Sequence, residues 1–215
     1  IGAYALSRAV AKRYRSPFTT PVFFSTTLIV LVLVVGQVPY ADYKPASDLI
    51  ATVLGPATVA LAVPIHRHRR ILLGSLVPAL AGIVTGAVVT IAVALVLGRL
   101  LGFDEQLQLA LAVKSTTAPV ALELTRIVEG NLQLAAALVI ATGMVGAMFG
   151  QWLMDRTGID HPLARGLAMG TISHGQGTAQ AVIEGEFQGA IAAVAMGLAA
   201  IVTTIVVPPI ATAFL

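Results

Sequence analysis

The chain has no cysteine and very little charge. Without cysteine there is no disulfide, no thiolate metal site and no thiol nucleophile. Charged residues make up 11% of the chain, about half the share a soluble domain of this length carries. Soluble-enzyme signatures are missing too: there is no G-x-S-x-G, no phosphate loop and no H-E-x-x-H. The adjacent Ser173 and His174 would point about 100° apart on a helix and make a poor dyad. No enzyme, cofactor or metal is therefore expected. What is abundant is apolar surface. Hydrophobic residues are 57% of the sequence, mean hydropathy is +0.91, and several apolar runs reach the roughly 20 residues that cross a bilayer.

The expected fold is all-α, a polytopic transmembrane protein of about 7–8 membrane segments in a single transmembrane domain, 1–215. Spans are placed at 1–11 (partial), 18–38, 47–65, 71–98, 104–129, 131–154, 163–184 and 187–214. The segment 1–11 reads as the tail of a span rather than a signal peptide, because no small-residue cleavage site precedes the basic cluster. The basic loops 12–15 and 66–70 are separated by two spans, so they share a side. The positive-inside rule makes that side the cytoplasm, puts the loop Tyr40–Asp48 outside, and points to the inner (plasma) membrane. Anionic lipid is a second reading of the basic loops, and the net charge of +3 does not call for nucleic acid.

Within 104–129 the run Leu107–Glu123 places Lys114 and Glu123 in apolar surroundings, with Ser115, Thr116, Thr117 and Pro119 between them. A charge in hydrocarbon costs about 2.5–3.5 kcal/mol even on the lenient insertion scale. Pro119 lacks an N–H, so the segment is expected to break, and broken backbone survives in a membrane only inside protein or beside a wet cavity. Lysine, hydroxyls and a break together suit a small anion. Two plainer readings stand beside this one: Lys114 snorkels to an interface, and Glu123 pairs with Lys114 or caps a helix near Arg126.

A second polar motif, Gly170–Gln180 (GTISHGQGTAQ), interrupts 163–184. Its glycines are poor helix formers, so a break here would expose N–H groups at the start of a helix from Thr178, where the dipole favours an anion. His174 would donate to a carboxylate or carry a proton; the plainer alternative is a packing histidine bonded to a carbonyl across a helix interface. A third break candidate is Leu54–Thr58, with Pro56 starting a helix and Thr58 near the path. The pairs Gly82/Gly86, Gly146/Gly150 and Gly166/Gly170 most simply allow close helix packing. An internal echo is also visible. G-Φ-D (Φ apolar), then a leucine and L-A-Φ, precedes both motifs, which suggests repeat halves of about 18–100 and 104–215.

At Lys114–Glu123, at Ala164–Ala179 and at Gly55–Pro64 the chain resembles the LrgB/CidB family, and the likeness spans essentially the whole sequence. The family usually has a proline before the lysine and a threonine before the motif proline, where this chain has Val113 and Ala118. The resemblance implies two functions. One is a carrier of small carboxylates, as in the plastid glycolate/glycerate transporter and bacterial relatives linked to pyruvate uptake. The other is an antiholin-like modulator of murein hydrolase activity and cell lysis, acting with a smaller LrgA/CidA-type membrane protein. The residues favour the carrier. Lys114 would hold the carboxylate at the Pro119 break, Ser115, Thr117, Ser173 and Thr178 would bond its oxygens, and Gly175 and Gly177 would leave N–H groups free. His174 and Glu123 are the candidates for proton coupling. Expected partners are a small carboxylate, membrane lipid and the LrgA/CidA-type protein; association of the chain with itself stays open.

Overall fold

The computed structural model describes residues 1–14, 16–60 and 62–214. Arg15, Leu61 and the side chains of Gly55, Thr58 and Pro64, all within stretches singled out above, lie outside the described residues. The described chain is helical: α1 (Gly2–Arg13), a 3-10 turn (Pro17–Thr19), α2 (Pro21–Val35), α3 (Tyr40–Ala60), α4 (Ala62–Arg67), α5 (Arg69–Gly74), α6 (Leu76–Leu100), α7 (Glu105–Val113), α8 (Ala118–Ile127), α9 (Leu132–Arg156), α10 (Pro162–Glu184) and α11 (Glu186–Phe214). Among the described residues, three stretches are long and apolar enough to cross a membrane: Leu76–Leu100, Leu132–Arg156 and Glu186–Ala211; Pro21–Val35 is apolar but shorter. Their outer faces leave large apolar side chains exposed, such as Val34, Val77 and Ile205, a surface suited to lipid.

Three local expectations need correction. Tyr40–Asp48 is the first half of α3 rather than a loop. Its polar residues fit a helix, with Asp42 in the first turn and Lys44 bonded to Asp48 one turn on at 2.6 Å. The helix also runs through Gly55 and Pro56 without a break; a proline removes one backbone bond, which an apolar span tolerates. The apolar run 71–98 is divided at Ser75, between α5 and α6.

The feature that organises the site is that two helical segments fold back on themselves. A straight helix would separate Leu109 from Gly130 by about 30 Å. A Cβ built on Gly130 lies 3.6 Å from that of Leu109, so α8 returns beside α7. In α10 the fold-back is plainer still. Arg165 and Glu184 would stand about 28 Å apart on a straight helix, yet their side chains form an ion pair. The turn is at His174, whose φ of 39° and ψ of −128° are not helical. Glycine contacts fix the directions: Gly82 and Gly86 of α6 meet Leu167 and Thr171, and Gly166 and Gly170 meet Gln188 and Ala192 of α11. The first arm of α10 therefore runs parallel to both α6 and α11, which requires the second arm to come back.

One hairpin (α7–α8) thus enters from the end where α6 finishes and α9 begins. The other (α10) enters from the opposite end, where α9 finishes and α11 begins. A buried cluster of Ile91, Ala110, Ala112, Val113, Ala121, Leu124, Ala135, Val139 and Val207 packs the first hairpin against α6, α9 and α11. The two basic segments sit at the same end, as the charge pattern requires: Lys12 lines a cleft with Asp155, and Arg67 bonds Glu186 at 3.0 Å.

The fold-back has a direct test. Since the chain lacks cysteine, single cysteines can be labelled with an impermeant reagent in intact cells. Positions Asp104 and Glu129, the two feet of the first hairpin, are expected to label from one face, and Asp160 and Glu186 from the other. Opposite labelling of Asp104 and Glu129 would mean that 104–129 crosses.

Candidate functional site

Each hairpin puts one of the two polar motifs at its tip. In the first, α7 ends at Val113, and Lys114 caps it. Ser115 and Thr116 make the turn, with the Thr116 N–H reaching the Val113 carbonyl at 3.3 Å. Thr117 stands at the N-cap of α8 but its hydroxyl caps nothing, and Pro119 falls in the first turn, where a missing N–H is harmless. The Ala118 and Val120 N–H groups open α8 without intrahelical acceptors. Lys114 is half-buried, and its Nζ donates to the Ser115 hydroxyl at 3.0 Å. Glu123 is not drawn to this tip: it is exposed and accepts from Arg126, three residues on in the same helix, at 2.5 Å, so it is neither a partner for Lys114 nor a helix cap.

In the second hairpin the break falls on His174 and not on a glycine, so the returning helix starts at Gly175 rather than Thr178. A positive φ at a non-glycine residue costs of order 1–3 kcal/mol and persists only where the surroundings hold it. Two bonds hold it here: His174 Nε2 reaches the Val139 carbonyl at 3.0 Å, and the Thr178 hydroxyl donates to the His174 carbonyl at 2.8 Å. A carbonyl only accepts, so Nε2 carries the hydrogen and Nδ1 is left to accept or to hold a proton. The packing reading of His174 is thus part of its structural role. The glycines around it divide by job. Gly170 and Gly177 are contact points, crowded by Ala192 and by Met169 with Ser173, whereas Gly175 faces open space.

Both tips reach the same turn of α9. The Val139 side chain packs with Val113, the residue before Lys114, and its carbonyl holds His174. One turn on, Gly143 makes room for the His174 ring and the Gln176 amide: a Cβ there would lie 2.5 Å from Cε1 and 2.6 Å from Gln176 Oε1. Ser173, packed on Gly146, and Thr178 complete this wall.

The side chains whose polar atoms are left over lie inside the two runs singled out in the sequence, Leu107–Glu123 and Gly170–Gln180, although none of them is assigned a binding role there. Five buried side-chain atoms without a hydrogen-bond partner occur among the described residues, and all lie on the two hairpins: Gln108 Oε1, Thr116 Oγ1, Thr171 Oγ1, Gln176 Oε1 and Gln180 Oε1. Buried polar atoms are nearly always bonded, so each of these calls for a partner, water included. Within those runs the local pattern does not separate them from their neighbours.

The feet of the second hairpin are tied together. Arg165, buried to 8% side-chain exposure, pairs with Glu184 on the returning arm and with Asp155 of α9 at 2.8 Å, and donates to the Ile159 carbonyl at 2.9 Å. Beside this cluster, away from the two tips, lies a cleft of about 610 Å³ between α1, the 3-10 turn, α9 and α10.

Opposed hairpins meeting inside a bundle with lipid-suited outer faces define a helical membrane protein. A model of the LrgB-like family matches residues 1–213, and the chain belongs to that family. Among curated relatives it is 32% identical to the uncharacterized protein YxaC of Bacillus subtilis over 94% of this chain and 87% of that one. It is 27% identical to the holin-like protein CidB of Staphylococcus epidermidis (95% and 90% covered) and 27% identical to the antiholin-like protein LrgB of Bacillus cereus (96% and 90%). No solved structure matches the chain.

Proposed function

We propose that the protein is a non-enzymatic, multi-pass inner-membrane carrier of small carboxylates of the glycolate, glycerate or pyruvate type. The observation that carries this reading is the half-buried Lys114 at a helix break whose neighbour Val113 shares a buried cluster with Val139, the residue that holds the second break. Lys114 supplies a cation for the carboxylate, and the N-termini of α8 and of the returning arm supply N–H groups and dipole. Ser115, Thr117, Ser173 and Thr178 bond the remaining oxygens, and Thr116, Thr171 and Gln176 join them as atoms still wanting partners. Gly175 leaves its N–H approachable. The order of elements supports an inverted repeat. A long helix and then a hairpin occur twice, α6 with α7–α8 and α9 with α10, entered from opposite ends. With Lys12 and residues 66–70 on one end, the positive-inside rule makes that end cytoplasmic.

A second reading is favoured by the relatives' names. CidB is called holin-like and LrgB antiholin-like, which supports a regulator of murein hydrolase activity and lysis that acts with an LrgA-type membrane partner. Those names mention no carboxylate. The unpartnered polar atoms at the tips have no evident task in that role, which is why the carrier is preferred. Uptake by vesicles holding this chain alone separates the two readings.

His174 gives the carrier reading a pH signature. If a proton on Nδ1 faces the bound anion, binding raises the affinity of the imidazole for that proton, and substrate affinity falls as pH rises through the imidazole range. His174→Gln keeps a donor toward Val139 and is expected to flatten this dependence. Titrations between about pH 5.5 and 8.5 decide; the same slope in both proteins would remove His174 from the coupling.

A further inference from the structure

We propose that the cleft at the feet of the second hairpin is a binding site for a glycerol phosphate ester, the headgroup chemistry of phosphatidylglycerol, separate from the hairpin tips. Its polar wall is ordered by an unbroken chain of donors. Gln151 Nε2 donates to Glu184 Oε2 at 2.9 Å and to the Gln180 carbonyl at 3.4 Å, so Gln151 Oε1 must accept. It does so from Gln180 Nε2 at 2.9 Å. That orientation leaves Gln180 Oε1 without a donor, although Gln180 is only 6% exposed. Flipping the Gln180 amide would move the orphan to Gln151 without curing it. A hydroxyl entering the cleft cures it.

Charge supplies the other half. Arg8 and Lys12, one turn apart on α1, face Asp155, Arg165 and Glu184 across the cleft. Arg165 is already shared by both carboxylates, so neither repels an anion with a full charge. Three cations against two carboxylates leave the cleft a net positive charge, borne by the α1 pair. An arginine fork beside a lysine point charge suits phosphate.

Depth and composition favour a lipid over a free metabolite. Trp152 lines the cleft and carries the Arg156 guanidinium 5.3 Å above its ring; Phe149 and Phe18 continue the aromatic patch. Tryptophan and arginine of this kind sit at the headgroup level of a bilayer. Ala11, Pro17, Pro21, Met148 and Ile183 give the cleft an apolar side for the start of an acyl chain.

The test uses the whole protein. Thermal midpoints are compared in phosphatidylcholine nanodiscs with and without phosphatidylglycerol, and in detergent with and without sn-glycerol 3-phosphate. The proteins are wild type, Arg8→Gln with Lys12→Gln, and a control of equal charge loss at the same end, Arg69→Gln with Arg70→Gln. A ligand at a hundredfold excess over its Kd raises the midpoint by roughly 5–10 °C in a chain of this size. The expected result is such a rise with phosphatidylglycerol in wild type and control, lost in the Arg8/Lys12 variant. The same pattern with the soluble ester alone supports the site and assigns it to a free ligand. No rise with either probe in wild type, a rise the Arg8/Lys12 variant keeps, or an equal loss in the control each overturns the proposal.

Discussion

Replacing Lys114 with alanine is expected to weaken binding of a small carboxylate by about 10- to 150-fold while leaving the fold intact. A hydrogen bond to a charged group is worth about 1.5–3 kcal/mol, and each 1.4 kcal/mol is tenfold in Kd. The fold owes Lys114 little: its Nζ has one described bond, to the Ser115 hydroxyl next to it. The ammonium is therefore held ready at the tip rather than spent on packing. Lys114→Arg should restore little, because a planar fork fills a small pocket differently from a compact ammonium. Ligand-induced thermal shift checks both variants. Wild-type affinity in Lys114→Ala would remove the lysine from the site.

The largest loss of stability is expected from Gly170→Ala, and it isolates the packing role of the motif glycines. A Cβ at Gly170 would sit 2.7 Å from the Ala192 carbonyl carbon and Cα, backbone atoms that cannot swing aside. Overpacking costs about 1–3 kcal/mol, occasionally more, and this contact belongs at the upper end. A fall of roughly 6–12 °C in the thermal midpoint follows. Gly175→Ala is the contrast: nothing lies within 4 Å of a Cβ there, so it should be neutral or slightly stabilising through helix propensity. Equal midpoints for the two variants would mean that α10 and α11 do not approach as described.

Both tips were legible in the sequence because membrane physics makes them conspicuous. Lys114 in an apolar run, a proline five residues on, and glycines crowding the stretch around His174 each carry a cost that calls for an explanation. The glycine pairs were also read correctly as contact points; Gly146 leaves room for Ser173 and Gly150 for Met169. Local pattern could not reveal the fold-back, because it is written in distant pairs such as Leu109 with Gly130 and Arg165 with Glu184. It also misplaced the second turn. Glycine is the usual choice for a positive φ, yet this chain puts His174 there and holds it by a bond to Val139, thirty-five residues away. Pro56 misled in the other direction, since a proline that looks like a helix start lies inside α3. Glu123 lost its place at the tip to a neighbour three residues on, Arg126, which its helix presents on the same face.

If the two hairpin tips at Val139 form a path for a small carboxylate, the protein moves it across a membrane unaided. Purified protein, with no LrgA-type partner, is reconstituted into liposomes, and uptake of labelled glycolate or pyruvate is measured against empty liposomes and the Lys114→Ala variant. Saturable uptake is expected from the wild type, and the variant is expected to lose it while keeping its thermal midpoint. Folded wild-type protein that moves no more label than empty liposomes, across acidic and neutral pH, would contradict it and leave the lysis regulator as the better reading.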